Sequence, residues 1–146
     1  MPRFLMPIVL LWLTLSFTGK AWTIDAADLL PPDEAFQFDA ELASPDKILL
    51  TWDIADGYYL YRQKFKFVSS TPEVRSGQPL FPSGQIKNDR YLGSVEVYRD
   101  HLEVVLPLQR LTATPIQLIL ETTFQGCADI GVCYMPIQKT MSFDLP

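Results

Sequence analysis

Apolar and polar positions alternate along residues 36–54. Phe36, Phe38, Ala40 and Leu42 share one parity, and Ile48, Leu50, Trp52 and Ile54 do so again. A period of two marks a strand with one buried face. Asp56-Gly57 reads as a turn, and residues 58–68 after it form an aromatic, strand-like run. Residues 71–85 carry three prolines and two glycines, which predicts a loop with at most an edge strand. Residues 95–98 and 102–108 predict a strand pair turning at Asp100-His101, and Leu106-Pro107 places that second strand's end, or a sheet edge, there. Ile116, Leu118, Leu120, Thr122 and Phe124 alternate into residues 125–136, and a further alternating run covers 137–143. Two such runs around a short Gly-containing segment predict a hairpin. Almost nothing has a helical period. Many short strands separated by turns predict an antiparallel β-sandwich.

The segment Gln125-Gly126-Cys127-Ala128-Asp129-Ile130-Gly131-Val132-Cys133-Tyr134-Met135-Pro136 holds the only two cysteines, with five residues between them. A hairpin mouth brings Cα atoms within the narrow range a disulfide needs. As a staple the pair is weak: loop entropy favours so short a ring by about 2.4 kcal/mol, roughly half the value for a long loop. The spacing is wider than a thioredoxin-type Cys-x-x-Cys, and two cysteines do not make a four-thiolate zinc site. Nor does a pair so close in sequence match the inter-sheet bridge of antibody domains. On the cysteines alone, a structural staple and a redox pair both remain open.

The first residues change the compartment. Arg3 supplies positive charge, residues 4–17 are apolar apart from Pro7, Thr14 and Ser16, and Gly19-Lys20-Ala21 has small residues at the −3 and −1 positions. This is the three-part pattern of a secretory signal peptide over residues 1–21. Its apolar run is short for a membrane span. Cleavage after Ala21 would leave residues 22–146 as one domain in an oxidising compartment, where a disulfide persists. The irregular lead-in of that domain covers residues 22–33. Losing Arg3 and Lys20 takes the net charge from −5 to −7. Such an acidic chain with no basic cluster is a poor partner for nucleic acid or anionic lipid. No later segment is long and apolar enough to cross a membrane.

Other residues resist a purely structural account. In Tyr58-Tyr59-Leu60-Tyr61, alternation puts Tyr59 and Tyr61 on one face and Tyr58 and Leu60 on the other. One face fits a core, while the other would present hydroxyl-bearing aromatic surface, as binding or shielding sites do. Asn88-Asp89-Arg90-Tyr91-Leu92-Gly93 reads as a polar loop with two bulky residues at its tip. It is either an ordinary core anchor or a flap over a reactive site.

Three motifs carry a family resemblance, in order along the chain. They are Asp56-Gly57-Tyr58-Tyr59-Leu60-Tyr61-Arg62, then Gly93 followed by Glu96-Val97-Tyr98-Arg99-Asp100, and the cysteine segment itself. Ala35-Phe36-Gln37-Phe38-Asp39 and Leu50-Thr51-Trp52 add weaker matches. Together they resemble the N-terminal periplasmic domain of DsbD, the bacterial transmembrane thiol:disulfide interchange protein, over nearly all of residues 22–146.

That resemblance implies an all-β, immunoglobulin-like sandwich with a redox-active cysteine hairpin. It implies no cofactor and no metal beyond the Cys127–Cys133 disulfide. It implies an oxidoreductase relay in the periplasm, belonging to an inner-membrane protein. Electrons would arrive from a thioredoxin-like C-terminal domain. They would leave to a DsbC-like disulfide isomerase and to thioredoxin-like proteins of cytochrome c maturation. Membrane contact would come only through segments beyond residue 146. Cys133 would form the mixed disulfide and Cys127 resolve it. A cap loop would comprise Asp89, Arg90, Tyr91, Leu92 and Gly93, while Tyr59, Tyr61, Asp129 and Tyr134 would line the site or meet partners. Tyr91 stands where a capping Phe is familiar, and Arg90 where an acid is.

Thiol chemistry adds its own expectations. Thiolate attack on a disulfide passes through a mixed disulfide that a second thiol resolves. No lysine or arginine lies between or beside the cysteines, and Asp129 disfavours a nearby thiolate. The expected nucleophile is therefore sluggish until a partner docks. Tyr91 is expected to lie over the disulfide in a closed loop, with Tyr59 and Tyr61 against the cysteine hairpin on the docking face. His101 reads as a turn residue. Two other functions stay in view. One is a non-catalytic periplasmic binding module with a structural disulfide. The other is a copper site using Cys127, Cys133, Met135 and either His101 or Met141, since thiolate and thioether suit Cu(I).

Overall fold

The alternating run at 36–54 folds as a hairpin. β1 (Phe36–Ser44) pairs antiparallel with β2 (Lys47–Ile54), Phe36 opposite Ile54 and Leu42 opposite Ile48. The structure is a computed structural model that describes residues 29–146. The expected signal peptide and most of the lead-in lie outside those residues. A single helical turn, α1 (Pro32–Ala35), leads into β1.

The core parity holds along each strand. β8 (His101–Arg110) buries Leu102, Val104 and Leu106 beside Ile48, Leu50 and Trp52 of β2. With β5 (Val74–Ser76) these strands make a sheet in the order β1-β2-β8-β5. Facing it is a sheet in the order β12-β9-β4, built from β4 (Lys66–Ser69), β9 (Ile116–Phe124) and β12 (Ile137–Leu145). Leu118, Leu120 and Phe124 of β9 meet Trp52 across the core, with the Trp52 and Phe124 rings 5.6 Å apart and edge-to-face. Removing these side chains from water supplies the main folding drive. The result is the expected immunoglobulin-like antiparallel sandwich.

A third sheet caps one end, in the order β11-β10-β3-β7-β6. It contains β3 (Tyr58–Tyr61), β6 (Gln85–Asp89), β7 (Gly93–Tyr98), β10 (Gly126–Ala128) and β11 (Val132–Cys133). β9 runs almost directly into β10, so the core strands deliver this sheet to the end of the sandwich. The predicted hairpin is present as β9–β12, with Ile137 opposite Phe124 and Leu145 opposite Ile116. The small β10–β11 hairpin sits at its tip.

Four expectations are corrected. Residues 58–68 are not one strand: a 3-10 turn at Arg62–Lys64 separates β3 from β4, because the chain leaves the end sheet there and joins β9. β7 and β8 do not pair with each other. Asp100, at φ 61°, turns the chain from the end sheet into the sandwich, and its carbonyl accepts the Ile54 amide at 2.7 Å. β8 continues through Pro107 as an inner strand. Backbone N–H and C=O of one antiparallel residue point the same way, and the Pro107 carbonyl accepts from Gly77, beyond the last β5 pair of Ser76 with Leu108. Its missing donor therefore falls where the ladder has already ended. Finally, the loops expected over 71–85 and 88–93 run into a strand at 85–89, β6; its one large apolar residue, Ile86, is 71% exposed and leaves no buried parity to detect.

Candidate functional site

Cys127 and Cys133 are a directly opposed cross-strand pair of β10 and β11, joined as a disulfide. The turn between them is tight. The Gly131 amide donates to the Ala128 carbonyl at 3.0 Å, and Gly131 sits at φ 92°, a left-handed conformation that glycine adopts without strain. On the other side β10 pairs with β3, placing Cys127 opposite Tyr59. Gly126 permits this approach, since a Cβ there would fall 2.6 Å from Phe36 Cζ and also onto the Tyr59 carbonyl. The two sulfurs are not equivalent to solvent: Cys127 is fully buried and Cys133 is exposed.

A line of hydroxyls lies behind Cys127. Its Sγ is 3.5 Å from Tyr61 Oη, and Tyr61 donates its proton to Asp89 at 2.6 Å. Tyr59 Oη, 3.4 Å from Tyr61 Oη, must then be the donor of that pair. Burial, then the Asp89 hydrogen bond, holds the Tyr61 phenol well above its ordinary pKa. The same hydrogen bond, with the Tyr91 and Leu92 amides, holds the Asp89 carboxyl below its usual range. Asp89 thus folds the 89–93 turn over its own side chain, as Asx turns do. Tyr59 and Tyr61 do contact the cysteine hairpin, as expected. Both are nearly buried, in a cluster with Val95, Val97 and Cys127. Tyr58 and Leu60 on the opposite face enter the main core, so neither face of β3 is a free aromatic surface.

The five cap residues form the tip of the β6–β7 hairpin, where Asp89 pairs with Gly93. A cleft of about 260 Å³ separates this tip from the cysteine hairpin, with Cys133, Tyr59, Asp129 and Tyr91 among its walls. Tyr91 is 87% exposed. The expected closed loop, with this ring laid over the disulfide, is not what the structure shows: the Asx turn points the ring outward.

The family profile of the thiol:disulfide interchange protein DsbD, N-terminal, matches residues 26–145. The chain belongs to the DsbD N-terminal domain family. It is 40% identical over 132 residues to DsbD of Neisseria meningitidis serogroup B, covering 90% of this chain and 21% of that one. Against DsbD of Escherichia coli K12 it is 36% identical over 134 residues, covering 92% and 23%. The chain spans about a fifth of the length of these curated relatives. Among solved structures it matches the reduced Neisseria meningitidis DsbD N-terminal domain with TM-score 0.72 and 34% identity, covering 83% and 94% of the two chains. It also matches a complex of the Neisseria meningitidis DsbD and PilB N-terminal domains, with TM-score 0.65 and 35% identity, over 80% and 87%.

Two residues of the expected site have other contacts. Asp129 is clasped by both Arg99 nitrogens at 2.7 and 2.9 Å, which holds its carboxyl below the usual range. Tyr134 turns inward: its ring meets Phe36 edge-on at 5.4 Å, and its hydroxyl donates to the Leu30 carbonyl at 2.6 Å. Tyr58 Oη accepts the Leu30 amide at 2.9 Å, so two tyrosines beside the cysteine hairpin grip one residue of the N-terminal segment. Burial comes first in pushing Tyr134 up to about 12.

Sequence reasoning missed Lys87 and Arg99. Lys87 Nζ lies 4.8 Å from the centroid of the Tyr59 ring, and the Arg99 guanidinium 5.1 Å from it. Proximity along the chain was the wrong guide to charge near the cysteines. The Arg99-Asp100 pair in the second motif was the available signal. His101 and Met141 do not join a copper set. His101 sits at the start of β8, rather than in a free turn, with Nδ1 2.6 Å from Asp53, and Met141 packs on the core. The redox-competent group is the disulfide itself.

Proposed function

We propose that residues 22–146 form a periplasmic thiol:disulfide exchange domain that relays electrons through Cys127 and Cys133. The observation that carries this is the asymmetry of the pair: an exposed sulfur on β11 against a buried sulfur on β10. In the reduced domain the Cys133 thiolate attacks one sulfur of a partner disulfide. The partner's other sulfur leaves as thiolate, and a mixed disulfide forms. Cys127 then loses its proton and attacks Cys133 Sγ, re-forming the Cys127–Cys133 bond and releasing the second partner thiolate. Two electrons pass to the partner. The reverse sequence reloads the domain. Directly opposed strand positions keep the resolving sulfur beside the mixed disulfide while its burial denies it to partners.

The family's name supports the chemistry, and the relative's complex with a PilB N-terminal domain supports protein partners. We assign electron entry to a thioredoxin-like C-terminal domain. Exit is to a DsbC-like isomerase and to thioredoxin-like cytochrome c maturation proteins. Residues 1–21 serve export, and the parent protein sits in the inner membrane. The 89–93 hairpin tip forms one wall of the cleft through which a partner reaches Cys133, and Tyr59 and Tyr61 pack behind Cys127.

The test uses single-cysteine variants. Cys127→Ser is expected to trap a mixed disulfide with a thioredoxin-like partner, and Cys133→Ser to trap none and transfer nothing. The opposite pattern would reverse the roles. A pair that stays oxidised across a graded glutathione buffer spanning periplasmic potentials would mark a staple instead.

A further inference from the structure

We propose that Lys87 promotes ionisation of the Cys133 thiol in the reduced domain, acting through its charge without touching the exchanging sulfurs. The inference deepens the exchange reading, because a thiolate is the attacking species.

The charged groups around Cys133 come from three places. β6 and its turn contribute Lys87, Asp89 and Arg90; the end of β7 contributes Arg99; the β10–β11 turn contributes Asp129. β3 adds only the phenols Tyr59 and Tyr61. Both carboxylates are engaged. Asp129 takes two hydrogen bonds from Arg99, and Asp89 takes one from Tyr61 and two from backbone amides. Lys87 and Arg90 make no ion pair among the described residues. The cleft that opens on Cys133 therefore sets Lys87 and Arg90 against Asp89 and an Asp129 already paired with Arg99, so its charge is not the acidic excess of the whole chain.

The two free cations are held differently. Arg90 lies 5.9 Å over the ring of Tyr91, itself 87% exposed at the hairpin tip. Lys87 is half-buried, within a paired strand, and its Nζ sits over the buried Tyr59 ring whose residue pairs with Cys127. A cation–π contact of this kind fixes the ammonium in the cleft wall. A fixed cation in the wall of the cleft that also holds the Cys133 thiol favours the thiolate. It also stabilises the reduced pair, making the disulfide more oxidising. Sequence neighbours alone implied the reverse, a thiol suppressed by Asp129.

The test measures Cys133 alone. In Cys127→Ser, the pH midpoint of alkylation by iodoacetamide reports its thiolate fraction without any partner. Adding Lys87→Gln is expected to raise that midpoint by about 0.5 unit, about threefold in reactivity below it, as for an exposed charge in high dielectric. Lys87→Arg should restore it. Potassium chloride should shrink the gap between the Cys127→Ser parent and its Lys87→Gln form, because salt screens the lysine charge that separates them. A Lys87→Gln midpoint within about 0.1 unit of the parent, or a gap between the two that widens with salt, would overturn the inference. A shifted midpoint together with failure to trap any partner would sink the exchange reading and leave the role of Lys87 standing.

Discussion

Gly126→Ala tests how the sandwich presents its cysteines. The added methyl would lie 2.6 and 2.7 Å from two Phe36 ring carbons and overlap the Tyr59 carbonyl. Ordinary carbon contacts begin near 3.5 Å, so something must move by nearly 1 Å. Neither neighbour moves freely. Phe36 is 1% exposed and held edge-on by Tyr58 at 5.9 Å and Tyr134 at 5.4 Å. The Tyr59 carbonyl belongs to a backbone that pairs β3 with β10. Overpacking of this kind costs about 1–3 kcal/mol, and two rigid obstacles place it near the top of that range. For a domain of this size about 3 kcal/mol lowers Tm by roughly 10 °C. Thermal unfolding of the oxidised protein followed by circular dichroism reads the shift. Gly131→Ala is the matched control: its Cβ would meet nothing within 4 Å, but φ is 92°. Left-handed strain there costs about 1–2 kcal/mol. A Gly126→Ala domain that melts within about 2 °C of wild type, or above Gly131→Ala, would refute the close-approach argument.

Three further outcomes follow from the same geometry. Because Tyr91 is 87% exposed, Tyr91→Ala should change the dithiothreitol reduction rate of the oxidised domain by less than about twofold; a tenfold acceleration would show a closed cap dominating in solution. Asp53 first, then Glu103, raises the His101 pKa from 6.5. Its folded charge is favoured, so the stabilisation is present below that value and fades as pH rises through the raised one. The stability difference between wild type and His101→Gln in urea melts should therefore be larger at acidic than at alkaline pH, and growth toward alkaline pH would contradict it. Tyr134→Phe removes the hydroxyl bonded to the Leu30 carbonyl and should cost about 1 kcal/mol. Hydrogen exchange at residues 30–36 should speed up with it, and unchanged protection there would show that the contact holds nothing.

The β1–β2 and β9–β12 hairpins were legible because each strand buries one parity, and a period of two survives in a linear string. The cysteine hairpin was legible because its chemistry is local: two thiols and a glycine turn within seven residues. Much of the end sheet was not. β6 hides its strand because a solvent-facing edge has no apolar parity to display. Tyr59 and Tyr61 look like surface on the string, yet Val95 and Val97 of β7 and Cys127 cover them. Charge was misread for the same reason. Along the chain Cys133 has Asp129 for company, whereas in space β6 and the end of β7 bring Lys87 and Arg99 to the same ring. Residue order by itself settled the long alternating strands of the sandwich, where the disulfide forms and which family the chain resembles. Only the tertiary structure decided which sulfur meets solvent, because burial and Coulomb interactions depend on distances that close between residues tens of positions apart.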